Sequence, residues 1–180
     1  MENPITLMPD LQQAKRFLNA LCDGEAVTFQ TFSDKGKNPL LAKVLHGTVD
    51  EHWRQLASLN AQGAGVFVTV NRTDGKGRKL ENIIAVRAVF VDLDGSPLTP
   101  VELSDPSPSI IVHSSPGRYH AYWVTQGIAL SSFESIQKQL AQRFGGDPSV
   151  HDLPRVMRLP GFYHRKGNDA FLTEIIEIGE

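Results

Sequence analysis

A chain of 180 residues with 41% hydrophobic and 21% charged side chains is long enough for one packed domain, or for two small modules sharing a core. Its formal net charge of -2 argues against a surface coated in positive charge for indiscriminate nucleic-acid binding, and a single cysteine, Cys22, excludes an internal disulfide framework or a cysteine-rich zinc site. No apolar run approaches the ~20 residues that span a bilayer and no basic-then-apolar leader opens the chain, so a cytoplasmic protein without a membrane partner is expected.

Asp10 is placed to cap a helix over Leu11 to Leu21, where Leu11, Ala14, Phe17, Leu18 and Leu21 recur at helical spacing. Ala26 to Phe32 alternates as a strand and ends in the turn-rich stretch Ser33 to Pro39. A second strand is expected over Leu41 to His46, a helix from Val49 to Gln62 stopped by Gly63 and Gly65, and a third strand over Val66 to Val70. Asn71 to Gly77 reads as a mobile, positively charged loop. Its Gly75-Lys76-Gly77 lacks the spacing and the following Ser or Thr of a phosphate loop.

The strand after that loop carries the first chemical signal, Ala88-Val89-Phe90-Val91-Asp92-Leu93-Asp94-Gly95. Strand side chains alternate faces, so Asp92 and Asp94 share one face roughly 7 Å apart while Val91 and Leu93 point into the core. Paired carboxylates at a strand end suit divalent cations, although an Asp-Gly turn at the end of a strand is the plainer alternative. Ser109 to His113 and Tyr119 to Val124 form the next two strands, a hairpin turning at Ser115-Pro116-Gly117. Arg118 and His120 emerge on one face of its second strand, and both residue types suit phosphate oxygens. Ser131 or Ser132 is expected to cap a helix through Phe144 that Gly145-Gly146 ends, and a last strand covers Phe171 to Ile178. No linker long enough to separate domains is present.

Between that helix and the last strand, Asp147 or Asp152 could supply a third acid, and Arg155 and Arg158 stand three residues apart. Hard cations such as Mg²⁺ and Mn²⁺ take carboxylates, phosphate oxygens and waters, and a two-metal site commonly needs three or more acidic oxygens. Two stretches are locally basic. Residues 71 to 80 carry Arg72, Lys76, Arg78 and Lys79 against Asp74, and residues 155 to 166 carry Arg155, Arg158, Arg165 and Lys166 with no acid.

Together these segments resemble the archaeo-eukaryotic primase superfamily, and within it the primase-polymerase domains of plasmid RepB-type and phage replication proteins. That family has a hydrophobic-Asp-hydrophobic-Asp strand, a Ser-x-His type motif and a later acid; Asp92 and Asp94, His120, and Asp147 fall in that order. Asp147-x-x-Val150 followed by Arg155-x-x-Arg158 is similar to the family arrangement and favours Asp147 over Asp152 as metal ligand. Ala26 to Phe32 and Gly63 to Asn71 also look like the family's N-terminal region, so the likeness spans most of the chain. One position departs. Where the family often has Ser two residues before His, this chain has Arg118, so the anion contact falls either to Arg118 or to Ser114 or Ser115 from the turn.

The resemblance implies an α+β fold in which an N-terminal α/β unit (1 to 85) packs on an antiparallel module like an RNA-recognition motif (86 to 180), with the site in the cleft between them. It implies a DNA primase or polymerase-type nucleotidyltransferase using two Mg²⁺ or Mn²⁺ ions on Asp92, Asp94 and Asp147, with Ser114, Ser115, Arg118, His120, Arg155 and Arg158 around a nucleoside triphosphate. Arg72, Arg78, Lys79 and Arg165 are candidates for a single-stranded DNA template. The end at Glu180, just after an apolar run, suggests the catalytic part of a longer plasmid or phage replication protein working with a replicative helicase. Two rivals stand beside this reading. Asp92-Leu93-Asp94-Gly95-Ser96 is close to the nucleophile motif of haloacid-dehalogenase-type phosphatases, which requires a doubly wound parallel sheet. A non-catalytic nucleic-acid-binding module would treat the acids as surface features.

Overall fold

The computed structural model describes residues 7–179. Helix α1 (Leu11–Cys22) begins where Asp10 is extended and its carboxylate accepts from the backbone N–H groups of Gln12 (2.9 Å) and Gln13 (3.2 Å), donors that have no partner within the helix. Its buried stripe is Ala14, Phe17, Leu18 and Leu21, as the spacing predicts. Strands β1 (Val27–Ser33) and β2 (Lys43–Gly47) follow, then α2 (Val49–Ala61), which opens on a reciprocal cap between Thr48 and Glu51, then β3 (Ala64–Thr69). Two short strands, β4 (Arg72–Thr73) and β5 (Ile83–Ala85), lead to the acid-bearing β6 (Ala88–Asp94) and a one-turn helix α3 (Thr99–Glu102). The hairpin β7 (Ile110–Ser115) and β8 (Arg118–Val124), helix α4 (Leu130–Phe144) and strands β9 (Val156–Arg158), β10 (Tyr163–His164), β11 (Phe171–Leu172) and β12 (Glu174–Ile178) complete the chain.

Two four-stranded sheets result, in the orders β2-β1-β3-β9 and β12-β7-β8-β6. Every pairing among the described residues is antiparallel, which excludes the doubly wound parallel sheet of the phosphatase alternative. One apolar core joins the layers, with Phe17 of α1 edge-on to Tyr122 of β8 at 5.3 Å and Phe133 of α4 against Phe90 of β6 at 5.9 Å. Among the described residues no helix is long and apolar enough to cross a membrane.

Four expectations change. The division at residue 85 is crossed by the chain, because β9 returns from the C-terminal half to pair with β3 in the first sheet. The basic stretch after Asn71 is a pinned hairpin: Arg78 Nε donates to Gln30 Oε1 at 2.8 Å, and Asp74 N–H donates to the Asn82 carbonyl at 2.8 Å. Ser131 and Ser132 lie inside the first turn of α4, since the extended residue that a cap requires is Ala129. The last strand is two, broken at buried Thr173, whose N–H and hydroxyl bond the Phe162 and Ser114 carbonyls.

Strand β6 has a ladder partner, β8, on one side only, and its other edge lies under α4. There the carboxamide of Gln137, fully buried on the core face of α4, accepts from Phe90 N–H (2.9 Å) and donates to the Phe90 carbonyl (3.0 Å) and the Val150 carbonyl (3.2 Å). It completes the edge as a further strand would. Gln137→Leu keeps the bulk and strips three backbone groups of their partners, so unfolding in urea should show a loss of about 3 kcal/mol; a loss under about 1 kcal/mol would remove Gln137 from this role.

Candidate active site

The register of β6 on β8 sets Asp92 opposite His120 and Asp94 opposite Arg118. Arg118 Nε approaches Asp94 Oδ1 at 2.5 Å, with more than half of each side chain exposed, so this pair contributes little to stability. Asp92 lies deeper. The third acid reaches it through the backbone: Asp147 N–H donates to the Asp92 carbonyl at 2.8 Å, on the same edge of β6 that Gln137 completes. The approach depends on Gly146, where a Cβ would fall 2.2 Å from Val91 Cγ2 and 3.1 Å from the Asp92 carbonyl oxygen.

Burial, followed by the negative charges of Asp147 and Asp94, pushes the Asp92 carboxyl up to about 6. Asp147 moves the other way, because its carboxylate accepts from the Ser149 N–H at 2.8 Å. Asp152 is committed elsewhere, accepting from Arg155 Nε at 2.7 Å. Among the described residues no group of three or more His, Cys, Asp or Glu side chains is drawn together as a ready cage for a metal ion. The fit to a cation rests on Asp92 and Asp94 sharing a face and on the repulsion that Asp147 adds, which a divalent ion would relieve.

His120 is buried and neutral. Burial, then the positive charges of Arg158 and His164, lower its pKa to about 3. Its Nε2 faces Asp92 Oδ1 at 3.7 Å, a polar contact rather than an ion pair, and its Nδ1 lies 3.4 Å from the Tyr122 hydroxyl. The buried Tyr122 hydroxyl keeps its proton, so we assign Nδ1 as its acceptor and the ring proton to Nε2.

A cavity of about 330 Å³ opens between these strands and β9. Asp92, Asp94, Arg118 and His120 line one side, Arg155 and Arg158 the other, and Ser114 and Ser115 the end of β7. The Ser114 hydroxyl donates to the Arg118 carbonyl at 3.2 Å and so closes its own turn. Asp147 is outside that lining and acts through Asp92. The four residues assigned to a template stand elsewhere. Arg72 lines a separate hollow with Glu25 and Arg87, Arg165 another with Lys35 and Asn168, Lys79 is exposed, and Arg78 is bonded to Gln30.

Sequence reasoning missed Phe67, His164 and Lys166 in the same cavity. Phe67 lies 4.7 Å beneath the Arg158 guanidinium. His164 is carried by β10, whose Tyr163 bonds Asn60 of α2 through both its N–H (3.0 Å) and its carbonyl (2.8 Å). The basic run 155 to 166 was the available signal, since His164 and Lys166 fall within it.

A family profile for the RepB DNA-primase N-terminal domain matches residues 47–174, more than half of the chain. The chain belongs to that family. It is 26% identical over 133 residues to a replication protein of Clostridium perfringens, an alignment covering 63% of this chain and 32% of that protein, so it spans about a third of that relative's length. Among solved structures, the AEP domain of the cyanophage S-2L primase-polymerase superposes with a TM-score of 0.73 at 18% identity, covering 96% of this chain and 92% of that one. The catalytic domain of primase RepB′ in complex with initiator DNA gives a TM-score of 0.72 at 20% identity, covering 93% and 84%. The RepB-type fold, mixed α/β with antiparallel sheets, is therefore shared across the described chain.

Two groups of this RepB-type domain, partly buried Asp92 and buried His120, set opposing pH responses. Asp92 has a folded pKa of about 6 against an ordinary 3.8, so its contribution to stability is greatest at low pH and is lost as pH rises through about 6. His120, at about 3 against 6.5, contributes fully above 6.5 and loses that contribution as pH falls toward 3. Asp92→Asn removes only the first. In divalent-free buffer its urea midpoint should therefore drop more steeply than that of the unaltered chain between pH 6.5 and 3.8; parallel curves would contradict the burial assigned to Asp92.

Proposed function

We propose that this domain is a divalent-metal-dependent nucleotidyltransferase that joins nucleotides on a single-stranded DNA template. The observation that carries the reading is one cavity with two strand-borne carboxylates on one wall and two arginines on the other, the complement of a metal-bound triphosphate. Asp92 and Asp94 would hold the cations, Mg²⁺ or Mn²⁺, with Asp147 beside Asp92 as the third acid. Bound there, two such ions supply charge neutralisation at the α-phosphate and the leaving pyrophosphate and acidify the attacking 3′ hydroxyl.

The chain's own groups do the positioning. Arg155 and Arg158 offer planar donors to phosphate oxygens, and His120 offers a single directed N–H without adding charge. Arg118 replaces the serine common in the family. Its exposed pairing with Asp94 is weak enough for the guanidinium to turn to a phosphate at small cost. Membership of the RepB primase family and the initiator DNA in the RepB′ complex support a DNA strand as partner; Arg72, Arg78, Lys79 and Arg165 are weaker candidates for that strand, since they stand away from the cavity. The match to part of a longer replication protein supports a role in replication, for which we propose a helicase as the companion activity.

Asp92→Ala and Asp94→Ala should each lower incorporation of labelled nucleoside triphosphates on a primed single-stranded template by on the order of 10²-fold or more, with circular dichroism unchanged. Undiminished incorporation in both would refute the metal assignment. Template binding should weaken steeply with added salt, and a flat response would count against the basic groups as the contact.

A further inference from the structure

Of the cations lining the cavity, Arg158 is the most deeply set, and its partner is a residue that no motif marks. Asp34, on the turn after β1, lies 124 positions away in the chain, and the two side chains are 1% and 9% exposed. Arg158 Nη2 donates to Asp34 Oδ1 at 2.7 Å and Nη1 to Oδ2 at 3.2 Å, a two-pronged carboxylate contact. Oδ2 also accepts from the Arg165 N–H at 2.8 Å, which ties the segment between His164 and Lys166 to the same anchor.

The neighbouring strand is shaped around this pair. At Gly65 of β3 a Cβ would stand 2.6 Å from Asp34 Oδ1 and 2.7 Å from Arg158 Nη1. Glycine inside a strand weakens it, so its presence here is explained by the room the ion pair takes. Below the guanidinium the Phe67 ring fixes the remaining face. Burying two charges is weak evidence for stability, because the desolvation penalty rivals the attraction. Orientation is the better account. Asp34 takes two of the five N–H donors of Arg158 and leaves three on a side chain that lines the cavity.

The geometry points to Asp34 as a positioning residue that holds Arg158, and with it the backbone at Arg165, in the attitude in which the cavity receives the phosphates of an incoming nucleotide. This rests on the nucleotide reading of the cavity given above. Asp34 touches no substrate itself. Its effect should therefore appear in nucleotide affinity, through Arg158, rather than in the chemical step.

The test uses the full chain, its Asp34→Asn, Gly65→Ala and Arg158→Ala variants, and the Asp34→Asn/Arg158→Ala double variant, assayed for incorporation with Mg²⁺ below the melting temperature of each. Asp34→Asn and Gly65→Ala should each raise the nucleotide KM about tenfold with kcat nearly unchanged, and Asp34→Asn should add nothing once Arg158 is Ala. An unaltered KM in both single variants, or independent effects in the double variant, overturns the positioning role while leaving the nucleotide reading intact. An unaltered chain that incorporates no nucleotide sinks that reading, and this inference with it. Should Asp34→Asn not fold, Gly65→Ala carries the same expectation with both charges retained. Failure of both to fold where Arg158→Ala folds would make the pair structural and also overturn the proposal.

Discussion

The strand that bears the acids sits at the edge of its sheet, and its free side is buried. Unpaired N–H and C=O groups under α4 would be costly, so the segments packed there must offer hydrogen bonds as well as apolar surface. Gln137 meets the demand at Phe90, and two residues along the strand Asp147 N–H meets it at Asp92. The third carboxylate is thus delivered by backbone pairing, with Gly146 permitting the approach, and the repulsion among the acids is imposed by the main chain. Satisfying an edge and gathering the acids are one structural event.

Each arginine lining the cavity is already paired. Arg118 rests on Asp94, Arg155 on Asp152 and Arg158 on Asp34, so each arginine carries its own carboxylate. Exposure separates them by how readily each gives way. The half-exposed Arg118 pair is screened and weak, whereas breaking the buried Arg158 pair would strand a charge away from water. A ligand with phosphate and metal charges would accordingly redirect Arg118 and find Arg158 already set.

What the sequence made legible was local. Asp10 as a cap, the stripe of α1, the shared face of Asp92 and Asp94, the hairpin turning at Gly117 and the left-handed close of α4 at Gly145 all follow from spacing and backbone preference within a few residues. The features it hid are pairings across long separations. Gln137 is a polar residue on a helix, which pattern alone sends to solvent, and only the edge of β6 makes its burial favourable. The family resemblance places Arg158 near a nucleotide without its partner; Asp34 and the short strand β9, which crosses back to the first sheet, bury the arginine. A three-residue strand next to Pro160-Gly161 carries too little periodicity to be recognised.

The neutrality of His120 decides how the cavity divides its work. The Tyr122 hydroxyl beside it is fully buried and its pKa is raised well above the ordinary value by that burial, so it keeps its proton and is able to donate to Nδ1. With Nδ1 occupied, the remaining ring proton is on Nε2, facing the acids. Positive charge on this ring would meet Arg158 and His164 without compensating water, and burial already disfavours it. Attraction for an anionic ligand must come from the other cationic side chains of the lining, the arginines and Lys166. His120 contributes direction, and Asp92 is the group through which the acid cluster responds to pH.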